Sequence, residues 1–445
     1  MREELRSRGK GIRFSFLVGF LSSFCFLAHA AQDDVVNFWH VGNYDDVVVM
    51  RELAAIFEKQ TGIRVHIQPV PWGDFNTKYL TAMAAGTPPD AGSTNLSGAM
   101  EYGKVGGLVD LGQRFPDAVE RLKGLIFPKM WPICYFRGRL LGVPLDAAAL
   151  VGFYRKDVFD SLGLKPPETW PQLDHVLDVI TARGYDYAFV WTRNSHWAIG
   201  TFTWPFGQDS FSDGGLKVNW LDPGFLKGYR YAIDIWNRYN SLWEKPVEMF
   251  MLEDPARASP MFIDLHFRYT EILTRAPQMR GKFGLFPFPR PDDGEAATIM
   301  GGRVMVIFRE GKHPEEAMKW IEFILSKESQ VYLYKACANL GERSGLMLSI
   351  NREFWNDDLG LLPGCQAALH DVYERMNTRE AYPWLGEASL PLERSMYEMQ
   401  DLIQQLFKQM ASKRGISVFD FKKAMASGEF PEELQAYKEF LNANS

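Results

Sequence analysis

Apolar and polar positions follow two rhythms along this chain. Val35-Val36-Asn37-Phe38-Trp39 is a compact apolar run and reads as a buried strand. From Asp45 to Lys59, Met50, Leu53 and Phe57 recur at helical spacing, and Thr61-Gly62 closes that helix. Ile63, Val65 and Ile67 then alternate with polar residues, the signature of a strand. Strand, helix and strand in so short a span is a βαβ unit, which implies parallel pairing. A second helix is expected from Phe75 to Ala85, stopped by Gly86, and a third strand at Ala91–Thr94. The chain thus opens as a doubly wound α/β domain.

The same rhythms resume near residue 150. Leu150–Tyr154 reads as a strand and Val158–Leu162 as a short helix ended by Gly163. Thr169-Trp-Pro-Gln172 forms a capping box ahead of Leu173, Val176, Leu177 and Ile180, which share one helical face. Residues 184–220 are rich in Trp, Phe, Gly and Asn and show little periodicity. Amphipathic helices are expected at 223–243, 314–326, 395–412 and 431–441, and a strand at 297–308 interrupted by Gly301-Gly302.

The first thirty residues are an address. Arg2, Arg6, Arg8, Lys10 and Arg13 precede an apolar run of about fifteen residues ending in Ala28-His29-Ala30. That is a secretory signal peptide cleaved after Ala30. The run is too short to serve as a comfortable membrane anchor, which needs about twenty residues. Phe24 before Cys25 argues against a lipoprotein box. Cleavage removes five basic and two acidic side chains, taking the net charge from -6 to -9. Such a chain is not a nucleic-acid binder held by phosphate contacts. Of the remaining cysteines, Cys134, Cys337 and Cys365 are expected as buried thiols rather than a disulfide framework.

Catalytic signatures do not appear: no phosphate-cradling loop, no G-x-S-x-G elbow, no H-E-x-x-H or C-x-x-C. No histidines sit at metal-ligand spacing, so neither a metal nor a cofactor is expected. Asp209 and Asp213-Gly214 read as a turn, and Asp45-Asp46 and Asp292-Asp293 as solvated caps or loops. What stands out is aromatic content, 14% with 13 Trp, and its placement. Trp39, His40 and Asn43 follow the first strand, Trp72 the second, and Thr94 and Asn95 the third. Ligands of doubly wound sheets sit outside the carboxyl ends of the strands. Flat rings and amides there suit the apolar faces and hydroxyl rims of sugars.

Three blocks then come into view in order. Gly138-Arg-Leu-Leu-Gly-Val-Pro-Leu-Asp146 resembles "G-x-x-x-G-x-P". Leu150-Val-Gly-Phe-Tyr-Arg-Lys-Asp-Val-Phe159 resembles "l-x-Y-r-k-D-l-f", and Gly163-Leu-Lys-Pro-Pro-Glu-Thr-Trp170 resembles "G-l-x-x-P-x-T-W". Trp72 with Ala84-Ala-Gly-Thr-Pro-Pro-Asp90, and Gly301-Gly302 with His313-Pro-Glu-Glu-Ala-Met-Lys-Trp-Ile-Glu-Phe-Ile324, add support. Together they resemble the family 1 extracellular solute-binding proteins of ABC importers, the maltodextrin-binding type, across essentially the whole mature chain.

The resemblance implies a type II periplasmic binding fold: two α/β lobes, joined by a hinge and closing over a ligand in the interlobe cleft. It places the crossings near Asp146-Ala147, Met300-Gly301 and Arg343–Gly345. Lobe 1 would be residues 31–146 and 302–343, and lobe 2 residues 147–301 and 344–445. It implies a monomeric receptor, periplasmic or extracellular, that catalyses nothing and hands a carbohydrate to ABC permease transmembrane subunits. The ligand-binding candidates are Trp39, Asn43, Trp72, Asn95 and Asp146, then Trp191, Asn194, Trp204, Gln208 and Asp264, and finally Gly301, Gly302, Arg343 and Trp384. A polyol, a glycerol phosphodiester or an acidic sugar is the alternative cargo, with Arg303 or Arg343 as the cation that would hold an anion. An exported carbohydrate-active enzyme with two distant carboxylates is the remaining rival.

Overall fold

A computed structural model gives the fold. It describes residues 35–42, 44–185, 190–191, 200–207, 211–212, 217–239, 250–254, 257–298, 300–340, 348–359, 366, 369–370, 372 and 390–444. Residues 35–445 form one compact unit.

The chain opens with β1 (Val35–Val41), α1 (Tyr44–Thr61), β2 (Arg64–Val70), α2 (Phe75–Ala84), β3 (Ala91–Asn95), α3 (Leu96–Lys104) and α4 (Pro116–Leu125). Next come β4 (Val143–Pro144), β5 (Asp146–Arg155), α5 (Lys156–Leu162), α6 (Trp170–Ala182), β6 (Val190–Trp191) and α7 (Pro223–Arg238). β7 (Met261–Leu265), α8 (Arg268–Arg275), β8 (Phe283–Phe286), β9 (Met300–Gly301) and β10 (Arg303–Ile307) follow. The chain then runs through α9 (Pro314–Ile324), α10 (Lys327–Leu340), β11 (Leu348–Ser349), α11 (Leu390–Arg414), α12 (Val418–Ala426) and α13 (Pro431–Asn444).

Two sheets organise these elements. The first has the order β2-β1-β3-β10-β4. β1 pairs in parallel with β2 and β3, as the opening βαβ pattern implies. β10 departs from a parallel sheet: it runs antiparallel between β3 and β4. On one face of this sheet Phe38, Phe57 and Trp320 meet, with ring centroids 6.1 and 5.4 Å from Trp320. The second sheet is built on β5, which pairs with β7, β8, β9 and β11, all antiparallel.

α6 begins at the expected residue. The Thr169 hydroxyl accepts from the Gln172 backbone N–H at 3.4 Å, but the Gln172 amide oxygen reaches Glu168 N–H at 2.8 Å, one residue before the cap. Leu173, Val176, Leu177 and Ile180 are all buried along this helix. Trp170, Trp236 and Trp320 are buried in the core as expected, and Trp220 is partly buried against it.

The connections between the sheets converge on the start of β5. From β4 in the first sheet the chain passes Leu145 and becomes β5 in the second. β9 pairs through Met300↔Ala149 and Gly301↔Ala148, and after Gly302 the chain becomes β10 of the first sheet. β11 pairs through Leu348↔Ala147 and Ser349↔Asp146. Beyond it, Asn351 bridges Ile126, and the His370 ring lies 6.1 Å from Phe127. Part of the segment expected in the second lobe therefore touches residues of the first.

Candidate functional site

Trp72 follows β2 as expected, but β1 runs on to Val41, so Trp39 and His40 lie within that strand near its carboxyl end rather than after it. Side chains alternate along β1, so Phe38 and His40 are buried on one face while Trp39 sits partly buried on the other. The Trp39 ring stands 5.2 Å from Tyr79 of α2, and the Lys78 ammonium lies 4.6 Å from its centroid. Tyr79 fixes this corner: its hydroxyl is 2.9 Å from the Trp39 carbonyl oxygen and 3.0 Å from that of Ser93. Trp72 follows β2, packs edge-on against Phe75 at 5.8 Å, and is 41% exposed. A ring this exposed is unusual for Trp and leaves a platform facing solvent. Asn95 ends β3, where its side-chain oxygen accepts from Gly98 N–H at 2.8 Å and caps α3.

Asp146 lies at the crossing into β5 and is buried. Its Oδ1 accepts the Arg303 backbone N–H at 2.9 Å, and its Oδ2 accepts Arg303 Nε at 2.7 Å. Arg303 Nη1 also reaches the Val41 carbonyl oxygen at 3.0 Å, Asp46 Oδ2 at 3.1 Å and His40 Nε2 at 3.1 Å. The His40 Nδ1 is 3.2 Å from Ser93 Oγ. With a guanidinium donating to Nε2, the neutral ring donates from Nδ1 to Ser93. Burial, and then the charge of Arg303, hold His40 well below its usual range and keep it neutral. Burial pushes the Asp146 carboxyl up, against the pull of Arg303. Burial also opposes the Arg303 charge, but Asp146 and Asp46 hold it above its ordinary value.

This cluster revises three expectations. Asp46 is a buried partner of Arg303, not a solvated cap. Asp146 has both carboxylate oxygens engaged, so a sugar hydroxyl would have to displace Arg303 to reach them. Arg303 is itself enclosed and paired, which removes it as a cation for an anionic cargo.

Two second-lobe candidates are also held internally. Asp264 is buried, with Oδ1 on the Leu265 N–H at 2.7 Å and Oδ2 on Arg268 Nε at 3.0 Å. Trp204 is 4% exposed and so tightly covered that a Cβ on Gly200 would sit 2.6 Å from its ring. Gly302 approaches β5 closely at φ +136°: a Cβ there would fall 2.2 Å from the Asp146 carbonyl oxygen. Gly301 and Trp191 are placed by their backbones in β9 and β6. Asn43, Asn194, Gln208, Arg343 and Trp384, with Cys365 and the cleavage site after Ala30, lie outside the described residues. Cys134 and Cys337 are buried thiols outside any disulfide, with Sγ on Met130 O at 3.9 Å and on Asp46 Oδ1 at 3.8 Å.

Sequence reading missed His266 and Phe267. The His266 Nδ1 accepts from Ala149 N–H at 3.1 Å, and the His266 backbone N–H donates to Ala149 O at 2.9 Å, placing the end of β7 beside the crossing strand. The rule that points to strand ends would have reached them, had it been carried past Asp264. Among the described residues no His, Cys, Asp and Glu group is arranged to hold a metal, and no helix is long and apolar enough to cross a membrane.

A family model described as bacterial extracellular solute-binding protein matches residues 44–331. A binding protein of Brucella abortus (strain 2308) is 26% identical over 298 residues, 62% of this chain and 68% of that protein. The diacetylchitobiose binding protein DasA of Streptomyces coelicolor is 22% identical over 320 residues, 67% of this chain and 71% of its own. In structure, the chain is similar to the sugar-binding protein MalE of Xanthomonas citri. That similarity has a TM-score of 0.69 at 23% identity and covers 92% of this chain and 100% of the other.

Proposed function

This chain belongs to the bacterial extracellular solute-binding protein family, the binding components of ABC transporters, and from that premise we propose that its cargo is a carbohydrate. The observation that carries this reading is Trp72, an indole 41% exposed just after β2, with Trp39 near the end of the adjacent strand β1. Two aromatic platforms at neighbouring strand ends suit the C–H faces of pyranose rings. That DasA binds diacetylchitobiose and the Xanthomonas protein binds a sugar supports the same chemistry.

In this reading the protein is exported, loses its signal peptide after Ala30 and works as a monomer without catalysis. Its two lobes are residues 31–146 with 302–343, and residues 147–301 with 344–445, and they close over the sugar. The convergence of β9 and β11 on β5 supports a hinge at that strand. Ligand contacts would come from Trp39, Trp72 and Asn95 in the first lobe. The backbone at Gly301 and Gly302, together with Trp191, Asn194, Gln208, Arg343 and Trp384, would supply the rest. The loaded, closed form is what the permease transmembrane subunits would recognise.

One observation favours a second cargo. Lys78 sets an ammonium against the Trp39 ring, which would suit an acidic sugar or a glycerol phosphodiester.

A thermal-shift screen of residues 31–445 against neutral sugars, uronic acids, polyols and glycerol phosphodiesters tests both. A ligand binding only the folded state adds about 2.7 kcal/mol at a hundredfold excess over its dissociation constant. A shift with a neutral oligosaccharide and no turnover is the expected result. A shift confined to anionic ligands would select the second reading. Silence across the sugar panel would overturn the carbohydrate assignment.

A further inference from the structure

The second sheet carries a pocket that the proposed sugar site does not use. It lies between the loop and helix around Gly163–Val176 and the edge strand β8 with the residues after it, and its volume is about 760 Å³. That is a size typical of small-molecule sites. Phe286 in its wall pairs with Gly152, six positions along β5 from Asp146. At roughly 3.3 Å per residue this puts the pocket wall about 20 Å along the strand from the crossing cluster.

Its walls are preformed. Pro166, Pro167 and Pro287 line it and fix their own backbone angles. At one end the walls are joined: Arg290 N–H donates to Glu168 O at 3.1 Å, and Trp170 N–H donates to Arg290 O at 2.9 Å. The Trp170 indole N–H adds a bond to Pro289 O at 3.0 Å, and its ring is stacked on Tyr231 with centroids 3.8 Å apart. A pocket held open this way costs little ordering when a ligand enters.

Its charge runs against that of the chain. Lys165 and Arg290, with the His175 ring beside them, line it against a single carboxylate, Glu168, in a protein of net charge -6. Among the described residues the Lys165 and Arg290 side chains make no ion pair or hydrogen bond, while the partly buried Leu164 and Leu285 supply apolar surface beside them. The prolines contribute no N–H groups, so recognition of an anion would fall to these side chains.

We propose that this pocket is a second ligand site, separate from the sugar cleft, which takes a small amphiphilic organic anion. The aromatic or aliphatic body lies on Leu164 and Leu285, and the carboxylate or sulfonate faces Lys165, His175 and Arg290.

The probe 8-anilinonaphthalene-1-sulfonate tests this on the folded mature chain, by fluorescence titration and calorimetry. The expected result is one saturable site whose affinity falls as salt rises. Affinity should drop at least tenfold in Lys165→Glu/Arg290→Glu and remain unchanged in Trp72→Ala. Should the Glu pair fail to fold, Lys165→Gln/Arg290→Gln reads the same loss at smaller amplitude. Equal affinity in the charge variants, weaker binding in Trp72→Ala, or no saturable binding would each overturn the proposal. Because the probe is not a sugar, failure of the carbohydrate assignment leaves this result independent.

Discussion

Arg303 and Asp146, 157 positions apart in sequence, are joined three times: backbone N–H to Oδ1 at 2.9 Å, Nε to Oδ2 at 2.7 Å, and Nη2 to Oδ2 at 2.5 Å. The pair is enclosed, so removing one partner strands the other. Arg303→Leu leaves Asp146 and Asp46 buried without their cation and should cost roughly 3–5 kcal/mol in urea unfolding. Arg303→Lys should recover only part of this, since an ammonium cannot reproduce the fork. Burial already raises the Asp146 carboxyl, and loss of Arg303 raises it further. A carboxyl raised in the folded state favours folding below its unfolded value and loses that contribution as pH rises through the folded value. The deficit of Arg303→Leu should therefore shrink on acidification.

Gly302→Ala should destabilise by about 1–3 kcal/mol from backbone strain alone. The added methyl also meets the Asp146 carbonyl oxygen, which a φ of +136° brings to 2.2 Å of the Cβ position. Denaturant unfolding measures the cost. A neutral outcome would mean that this crossing relaxes freely.

Trp72→Ala and Trp204→Ala should separate binding from packing. Trp72 is 41% exposed, so its loss should change stability by less than about 0.5 kcal/mol while weakening cargo binding by roughly 1–3 kcal/mol. Trp204 is buried, and its truncation should cost roughly 3–5 kcal/mol of stability with affinity per folded molecule retained. Calorimetry beside urea unfolding gives both numbers.

Lys422 on α12 is buried under the Phe407 ring, and burial lowers its ammonium to about 8. A base lowered in the folded state binds fewer protons than the unfolded chain between that value and its ordinary one. Its contribution to stability should therefore rise with pH from about 8 to about 10.5. Lys422→Met should stabilise the protein at pH 7 by roughly 2–3 kcal/mol and remove that alkaline rise. Urea midpoints of both proteins at pH 7 and 10 decide it.

Some of this architecture is legible in local pattern and some is not. α6 could be located because an apolar stripe at Leu173, Val176, Leu177 and Ile180 has one geometry, and Thr169 marks its start. α10 escaped notice: Val331, Tyr334 and Cys337 are spaced across a helix that also carries Lys327, Glu328 and Gln330, so its stripe is weak. The antiparallel entry of β10 has no local signal, because its partners, Thr94 opposite Val304 for one, are far away in sequence. The site divides the same way. Trp39 and Trp72 are readable because each lies within two residues of the end of its strand, Trp39 before it and Trp72 after it. Asp146 looks like a ligand donor from its place after a proline; the arginine that occupies it belongs to another segment, and no spacing rule connects them.

The position of β10 in the first sheet has a consequence for how the protein is made. That sheet takes its opening strands from residues 35–95, but the strand between β3 and β4 is Arg303–Ile307. A chain that emerges N-terminus first would keep the edges of β3 and β4 open until more than two-thirds of its length had appeared. Such late closure is slow and leaves strand edges available to neighbours in the meantime. For a protein addressed to the outside, delayed completion also keeps the chain threadable while it is being moved across the membrane.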